Sequence, residues 1–343
     1  MAEYYNLLDH AKQFDAKGDE YLVAKVLQQS NPVIKDMPVI ESNDESGHTY
    51  AVQTGIPEPT WRRAYEGVEP TKHTQKVVHD TYGRMSAYSM VDVAVAEKGG
   101  KIAETRAAMA ESHLEGMAQG MAKKVFYGSN EDNEKSFIGL APRFAFTSGA
   151  ESSANVISNG GSSANVQSSI FLVGWGKNKT FGFFPKGTRA GIKRYEYSAA
   201  GPVPCKDAEG NEFPGYKEQY EWLMGMCVAD WRYSARICNI QAPTSMNDDA
   251  CKSLFKNFMK AVNQIHNVDA VNLVAYCSRD VKFALRNGFL LSGGTIAPQV
   301  YVQNELNVSG NKGYANHDLV IDGIHVKADD AITQTEAVVG ALS

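Results

Sequence analysis

Residues 47 to 127 set two patterns in succession, a polar extended stretch and then an unbroken helical repeat, and neither is self-sufficient in a lone globular domain. From His48 to Gln53 the chain alternates, with His48, Tyr50 and Val52 on one side and Thr49, Ala51 and Gln53 on the other. From Thr71 to Tyr82 it is again β-branched and polar, Lys72, Thr74, Lys76 and Val78 opposing His73, Gln75, Val77 and His79. A hairpin with so few apolar side chains buries no core of its own, and an isolated two-stranded ribbon is marginal in water. The ribbon from Gly47 to Tyr82 is therefore expected to find its partners mainly on a neighbouring subunit. Pro57, Pro59 and Pro70 punctuate its tip, which carries Trp61, Arg62, Arg63 and Tyr65, residue types enriched at interface hot spots. An ordinary surface loop with a tucked Trp61 fits the same residues equally well.

The helical repeat is Ala103, Ala107, Ala110, Leu114, Met117, Met121 and Val125, one apolar stripe in steps of four and three. Glu97, Glu104, Glu111 and Glu115 lie toward its start and Lys123 and Lys124 at its end, as the helix dipole favours. At 1.5 Å per residue the segment from about 100 to 127 spans roughly 40 Å. It is expected to pack within its own subunit through Leu114, Met117 and Met121. Gly116 and Gly120 share a side where another element could approach closely, and Gly128 is placed to end the helix.

The chain has 343 residues, 43% of them hydrophobic, enough for a sizeable core in two domains or one elaborate one. No run of apolar residues is long enough to span a membrane and Met-Ala-Glu-Tyr-Tyr is no signal peptide, so synthesis in the cytoplasm and no membrane partner are expected. With a net charge of −5 and dispersed Lys and Arg, the composition is not that of a dedicated nucleic-acid binder, and any contact with DNA is expected to be weak and non-specific. Cys205, Cys227, Cys238, Cys251 and Cys277 form no CxxC pair and read as buried thiols.

The overall class is α+β. Residues 1–41 read as an N-terminal arm, helical in pattern over Tyr4–Lys12 and Tyr21–Gln29 and extended from Val33 to Ile40. Residues 42–91 form the ribbon, 92–240 a unit containing the long helix, and 241–343 a second unit whose last strands could return to the first. Thr147 to Ser169 reads as a loop, whereas Ile170–Val173, Thr180–Phe184 and a long stretch from Tyr216 to Ile240 are strand-like, with a bulge or bend at Gly225. Asp248–Ile265 is a capped helix, Ala270–Tyr276 a buried strand and Ser278–Arg286 a helix ended by Asn287-Gly288; strands follow at Gln299–Gln303 and Leu319–Lys327.

Each catalytic signature fails on a residue its chemistry needs. Gly174-Trp-Gly176-Lys177 lacks the hydroxyl after the Lys, Asn178 standing there, and Phe171 replaces the first Gly of a phosphate loop; Gly100-Lys101 fails likewise at Val95 and Ile102. No HExxH occurs, and His73 and His79 sit roughly 20 Å apart on an extended strand. There is no GxSxG elbow, and Ser253 to Lys256 matches SxxK only by chance. Asp248-Asp249 and Asp329-Asp330 read as capping and solvated pairs. The sequons Asn178-Lys-Thr180 and Asn307-Val-Ser309 have no secretory route. No catalytic residue, metal site or cofactor is assigned. Lys186, Arg189, Lys193 and Arg194 follow Pro185, while Asp230 and Arg232 fall on one side of the long strand; an internal ion pair and a charged contact between subunits both fit, the contact slightly better.

Six segments resemble the major capsid proteins of short-tailed bacteriophages of the epsilon-fifteen type. They are Pro59-Thr-Trp-Arg-Arg-Ala-Tyr-Glu-Gly-Val68, Lys124-Val-Phe-Tyr-Gly128, Phe137-Ile-Gly-Leu-Ala-Pro-Arg-Phe144, Phe171-Leu-Val-Gly-Trp-Gly176, Phe184-Pro-Lys-Gly-Thr-Arg-Ala-Gly191 and Asp230-Trp-Arg-Tyr233. Singly each is weak; together they run in order from about residue 57 to 240. The resemblance implies a Hong Kong 97-like phage capsid fold with an N-arm, an extended β-hairpin loop, a peripheral domain with a long spine helix, and an axial domain. It further implies self-assembly into hexamers and pentamers of an icosahedral shell around double-stranded DNA, a place in the virion, and a decoration or stapling protein, a scaffolding protein and a portal as partners. Intersubunit contacts would then fall on Trp61, Arg62, Arg63, Tyr65, Lys72, Lys76, Lys186, Arg189, Asp230 and Arg232. Lys72 and Lys76 suggest the crosslinking Lys of the fold's founding member, yet nothing marks a partner Asn or a catalytic Glu, so no isopeptide activity is carried over. The rival readings are an encapsulin-like nanocompartment shell and an oligomeric enzyme with a site between subunits.

Overall fold

The computed structural model describes residues 29–97, 102–130, 135–207, 209–241, 246–292 and 319–342. The sequence-predicted helices before Gln29, the strand at 299–303 and the sequon at 307–309 lie outside them. A short helix α1 (Pro32–Asp36) leads to β1 (Val39–Glu41), β2 (Gly47–Gly55), β3 (Thr74–Asp92), α2 (Val93–Ala96), the long helix α3 (Ile102–Tyr127) and α4 (Leu140–Arg143). There follow β4 (Val156–Ser158), β5 (Gln167–Trp175), β6 (Thr180–Phe184), β7 (Ile192–Glu196), β8 (Val203–Lys206), β9 (Glu212–Val228) and β10 (Ser234–Gln241). Helix α5 (Asp248–Gln264), β11 (Asn272–Cys277), α6 (Arg279–Leu291), β12 (Leu319–Ile321) and β13 (Ile324–Ala328) complete the order.

One mixed sheet runs β12-β13-β11-β5-β6-β9-β3-β2. Its centre is covered on both faces, so β5 is buried from end to end, as a two-sided strand must be. Ile170 and Leu172 point into one core with Leu254, Phe258 and Val262 of α5 and Val281 and Leu285 of α6. The alternate residues Phe171, Val173 and Trp175 point into the other, with Met121, Val125 and Phe126 of α3 and Val33 and Met37 of the arm. Each core mixes residues from both sides of position 240. The five cysteines are free and buried.

Several local expectations are corrected. Val39–Glu41 at the end of the stretch is a strand, pairing with β6 in parallel, but Pro32 at the first turn starts a helix that runs to Asp36. The expected strand 216–240 is two strands broken by a 3₁₀ turn at Trp231–Tyr233, because Asp230 accepts from the Arg232 amide and turns the chain. Asp230 and Arg232 thus lie off the sheet. Gly225 marks no bulge; the ring of Phe183 lies where its Cβ would be, 2.4 Å from Cζ. Helix α6 runs through Gly288 to Leu291, since a Cβ at 288 would fall 2.1 Å from the Cys251 carbonyl: that glycine serves a close helix contact rather than a stop. The expected loop 147–169 contains β4, paired with β10, and the start of β5.

The long helix matches its predicted span, but its burial differs. Met117, Met121 and Val125 are covered, whereas Leu114 is 37% exposed and Ala103 and Ala107 are open. The N-terminal half meets the molecule through a different side, where Met109 packs on Val91 and Val95. Gly128 ends the helix through close approach, a Cβ there meeting the Phe137 carbonyl at 2.4 Å.

Candidate intersubunit surfaces

The root of the ribbon is fixed within its own chain. His48, Tyr50 and Val52 pair with Asp80, Val78 and Lys76 and share one face, so the side chains of His48 and Tyr50 turn toward β6 and β9. The His48 ring sits edge-on to Phe181 at 5.4 Å and 5.6 Å from Phe183, and burial lowers its pKa. Tyr50 Oη lies 3.2 Å from both Asp80 Oδ2 and the Val228 carbonyl. Asp80 in turn accepts from Arg143 Nη2 at 2.7 Å, and Arg143 also donates to the Met226 carbonyl. The expectation that the ribbon finds its partners mainly on a neighbour is therefore corrected for its base: strand β3 continues past Tyr82 and pairs with β9 from Tyr82 to Asp92.

Beyond the root, the residues from 58 to 73 are all exposed. Trp61 is 98% exposed and Tyr65, at φ 68, is fully exposed, so Trp61 is not tucked into its own chain. Arg62 and Arg63 fold onto Glu66: Arg62 Nη1 donates to its carbonyl and the Arg63 amide to its carboxylate at 2.9 Å. Lys72, just before β3, and Lys76, on it, are exposed. Lys186 and Arg189 are exposed on a turn closed by Thr188 to the Pro185 carbonyl, with the Gly187 amide on Glu41.

The Asp230 and Arg232 side chains are each other's partners, with two hydrogen bonds of 2.9 and 2.8 Å. Burial works against the Asp230 charge, but Arg232 outweighs it and holds the carboxyl below its usual range. Lys179 adds to the group, 3.8 Å from Asp230 and over the Tyr233 ring at 3.5 Å. The internal ion pair is thus made, with the Arg232 side chain still half exposed.

Two polar clusters were not legible from spacing. On β9, buried Glu218 receives Arg194, Arg106 and Tyr220, joining β7, α3 and the sheet; burial would raise its pKa, yet these donors bring it to about 2. Tyr220 is pushed up to about 12 by burial and by the Glu218 charge. At the chain's end, buried Glu336 receives Arg236 at 2.7 Å, Ser169 at 2.5 Å and Tyr127 at 2.5 Å. Most of these partners lie far apart in the chain, Arg106 112 residues from Glu218 and Tyr127 209 from Glu336, and leave no local signal. Among the described residues no group of three His, Cys, Asp or Glu side chains could hold a metal, and no helix is long and apolar enough to cross a membrane.

The polypeptide matches the family described as major capsid protein GP7 over residues 15–340. The chain belongs to that family. This capsid protein also superposes on the solved structure of Bacteriophage Epsilon15, with a TM-score of 0.73 and 22% identity over 98% of both chains, which establishes the Hong Kong 97-like fold. More distant are the capsid of a native GTA particle (TM-score 0.47, 10% identity, 66% of this chain and 96% of that one) and the SrpI encapsulin of Synechococcus elongatus PCC 7942 (0.44, 7%, 70% and 97%). No curated protein sequence matches the capsid protein significantly.

Proposed function

We propose that this capsid protein forms the hexamers and pentamers of an icosahedral shell enclosing the double-stranded DNA of a tailed phage, and that its role is self-association without a catalytic centre. The observation that carries the reading is the ribbon tip. A Trp and a Tyr fully in water on a rigidly rooted hairpin are an anchor awaiting a pocket, since aromatic side chains dominate interface energetics when buried. Contacts between subunits fall to Trp61, Arg62, Arg63 and Tyr65 at the tip, Lys72 and Lys76 on its flank, Lys186 and Arg189 on the β6–β7 turn, and the Asp230–Arg232 turn. The division into arm (1–41), extended loop (42–91), peripheral domain (92–240) and axial domain (241–343) fits this, with core residues exchanged across the last boundary. A portal, a scaffolding protein and a decoration protein would be further partners, and DNA would meet the net-negative chain weakly. Assembly takes place in the host cytoplasm.

Expression of the chain with its neighbouring phage genes, followed by cryo-electron microscopy, tests this. Closed shells with the ribbon tip on an adjacent subunit and DNA inside are expected. Protein that stays monomeric at high concentration, or particles of other composition, would overturn it; enzyme cargo without DNA or a portal would favour the nanocompartment.

A further inference from the structure

Two exposed helix faces of this chain match each other. On α6, Arg279, Phe283, Arg286 and Leu290 follow at steps of four, three and four and form a single stripe. All four are open to water, Phe283 at 64% and Leu290 at 65%, while Val281, Ala284, Leu285 and Gly288 on the opposite side are buried. On α3 the outward stripe of the first half is Glu104, Ala107, Glu111 and Leu114, at steps of three, four and three. Each is the narrow seam of a two-helix coiled coil, in which two alternating positions face the partner. On α6 one position holds Phe283 and Leu290 and the other holds the arginines; on α3 one holds Ala107 and Leu114 and the other the glutamates.

The two seams cannot meet within one subunit. Helix α6 packs on the side of β5 that carries Ile170 and Leu172, and α3 on the side that carries Phe171, Val173 and Trp175. We infer that α6 of one subunit packs antiparallel on the exposed seam of α3 of a second copy, which rests on the self-association proposed above and adds a surface to it. The direction follows from the spacing. In an antiparallel pair, a residue that begins a three-residue step lies opposite one that begins a four-residue step, whereas in a parallel pair like positions face each other. Antiparallel packing therefore sets Phe283 on Leu114, Arg286 on Glu111 and Leu290 on Ala107. A parallel pair would press Phe283 and Leu290 against glutamates and the arginines against Ala107 and Leu114. The register is the one that shelters Phe283, Leu290 and Leu114 together, and it leaves Arg279 on Asp330, whose carboxylate it meets at 2.7 Å. A lone exposed ion pair contributes little, so the apolar layers on either side of Arg286 supply the attraction, and the charges select the direction and the partner.

Charge exchange in the full chain, expressed for shell assembly, tests the pairing. Arg286→Glu and Glu111→Arg are each expected to lower the yield of closed shells at least about fivefold, because like charges then oppose each other. Combining the two should bring the yield back to within about twofold of the natural chain. Both side chains are exposed, so the circular dichroism of the subunit should not change. Single variants that assemble normally, or a double variant no better than either, would overturn the inference and leave the capsid role standing. A natural chain that forms no shells would overturn both. Disulfide trapping gives a second measurement, since the five native thiols are buried. In assembled shells, Phe283→Cys with Leu114→Cys is expected to form interchain bonds at least about tenfold faster than Phe283→Cys with Ser112→Cys, because proximity raises effective concentration and position 112 faces away from the seam. Equal rates would also defeat the inference.

Discussion

Arg143 and Asp80 meet at 2.7 Å beneath the base of the ribbon, both largely withdrawn from solvent, and this pair joins the end of α4 to the strand that projects from the sheet. A carboxylate left there without its guanidinium would be an unpaired buried charge. Arg143→Met is expected to destabilise the subunit by about 3–5 kcal/mol in denaturant titration, whereas Arg143→Met combined with Asp80→Leu should recover part of the loss. If the double variant is no better than the single one, the pair is not what fixes the root.

The tip should behave in the opposite way. Trp61→Ala, or Arg62→Glu with Arg63→Glu, touches side chains that contribute nothing to the core, so subunit stability should change by less than about 0.5 kcal/mol. Shell formation, followed by sedimentation and negative-stain microscopy, should be strongly impaired. A loss of folded subunit by circular dichroism would contradict this.

Glu336 ties the C-terminal segment to Arg236, Ser169 and Tyr127. Glu336→Ala leaves the buried Arg236 charge without its anion and is expected to cost about 3–5 kcal/mol; Glu336→Gln, which keeps the shape and an acceptor, should cost less, about 1–3 kcal/mol. Limited proteolysis should report cleavage after residue 330 before the rest of the fold is lost.

Acid should act through Glu218. Its folded pKa of about 2 lies below the ordinary value of 4.5, so the charged form is favoured by folding, and the stability it contributes is present above pH 4.5 and is lost as the pH falls from there toward 2. Unfolding midpoints measured across that window should fall steeply in the natural sequence. Glu218→Gln should start less stable at neutral pH and show a flatter profile.

Gly225 lies under the Phe183 ring, where an added methyl would stand 2.4 Å from Cζ. Gly225→Ala must displace that ring from the cluster that holds His48 and Tyr50, and is expected to cost about 1–3 kcal/mol. Gly225→Ala with Phe183→Leu should relieve the clash, and thermal denaturation of the two variants compares them directly.

Local pattern carried far in this chain. The 3.6-residue stripe gave the long helix nearly to its ends, strand alternation gave both arms of the ribbon, and the predicted helices near 248 and 278 start at Asn247 and Ser278, whose side chains accept the Ala250 and Val281 amides. The failures have a common cause. Gly225 and Gly288 look like a bend and a stop, and only distant partners, Phe183 and the Cys251 carbonyl, explain them. Asp230 and Arg232 look like strand neighbours until the aspartate caps its own turn.

The sequence by itself determined the long helix and both strands of the ribbon, that the ribbon is too polar to support itself, and which words tie the chain to its family, because periodicity and composition act over a few residues. Which side of the long helix is covered, where the ribbon's root ends and its free tip begins, and that Arg236 finds Glu336 were decided only by the tertiary structure. Those outcomes depend on groups far apart in the chain, brought together when burial makes an unpaired charge or an uncovered ring too costly to leave.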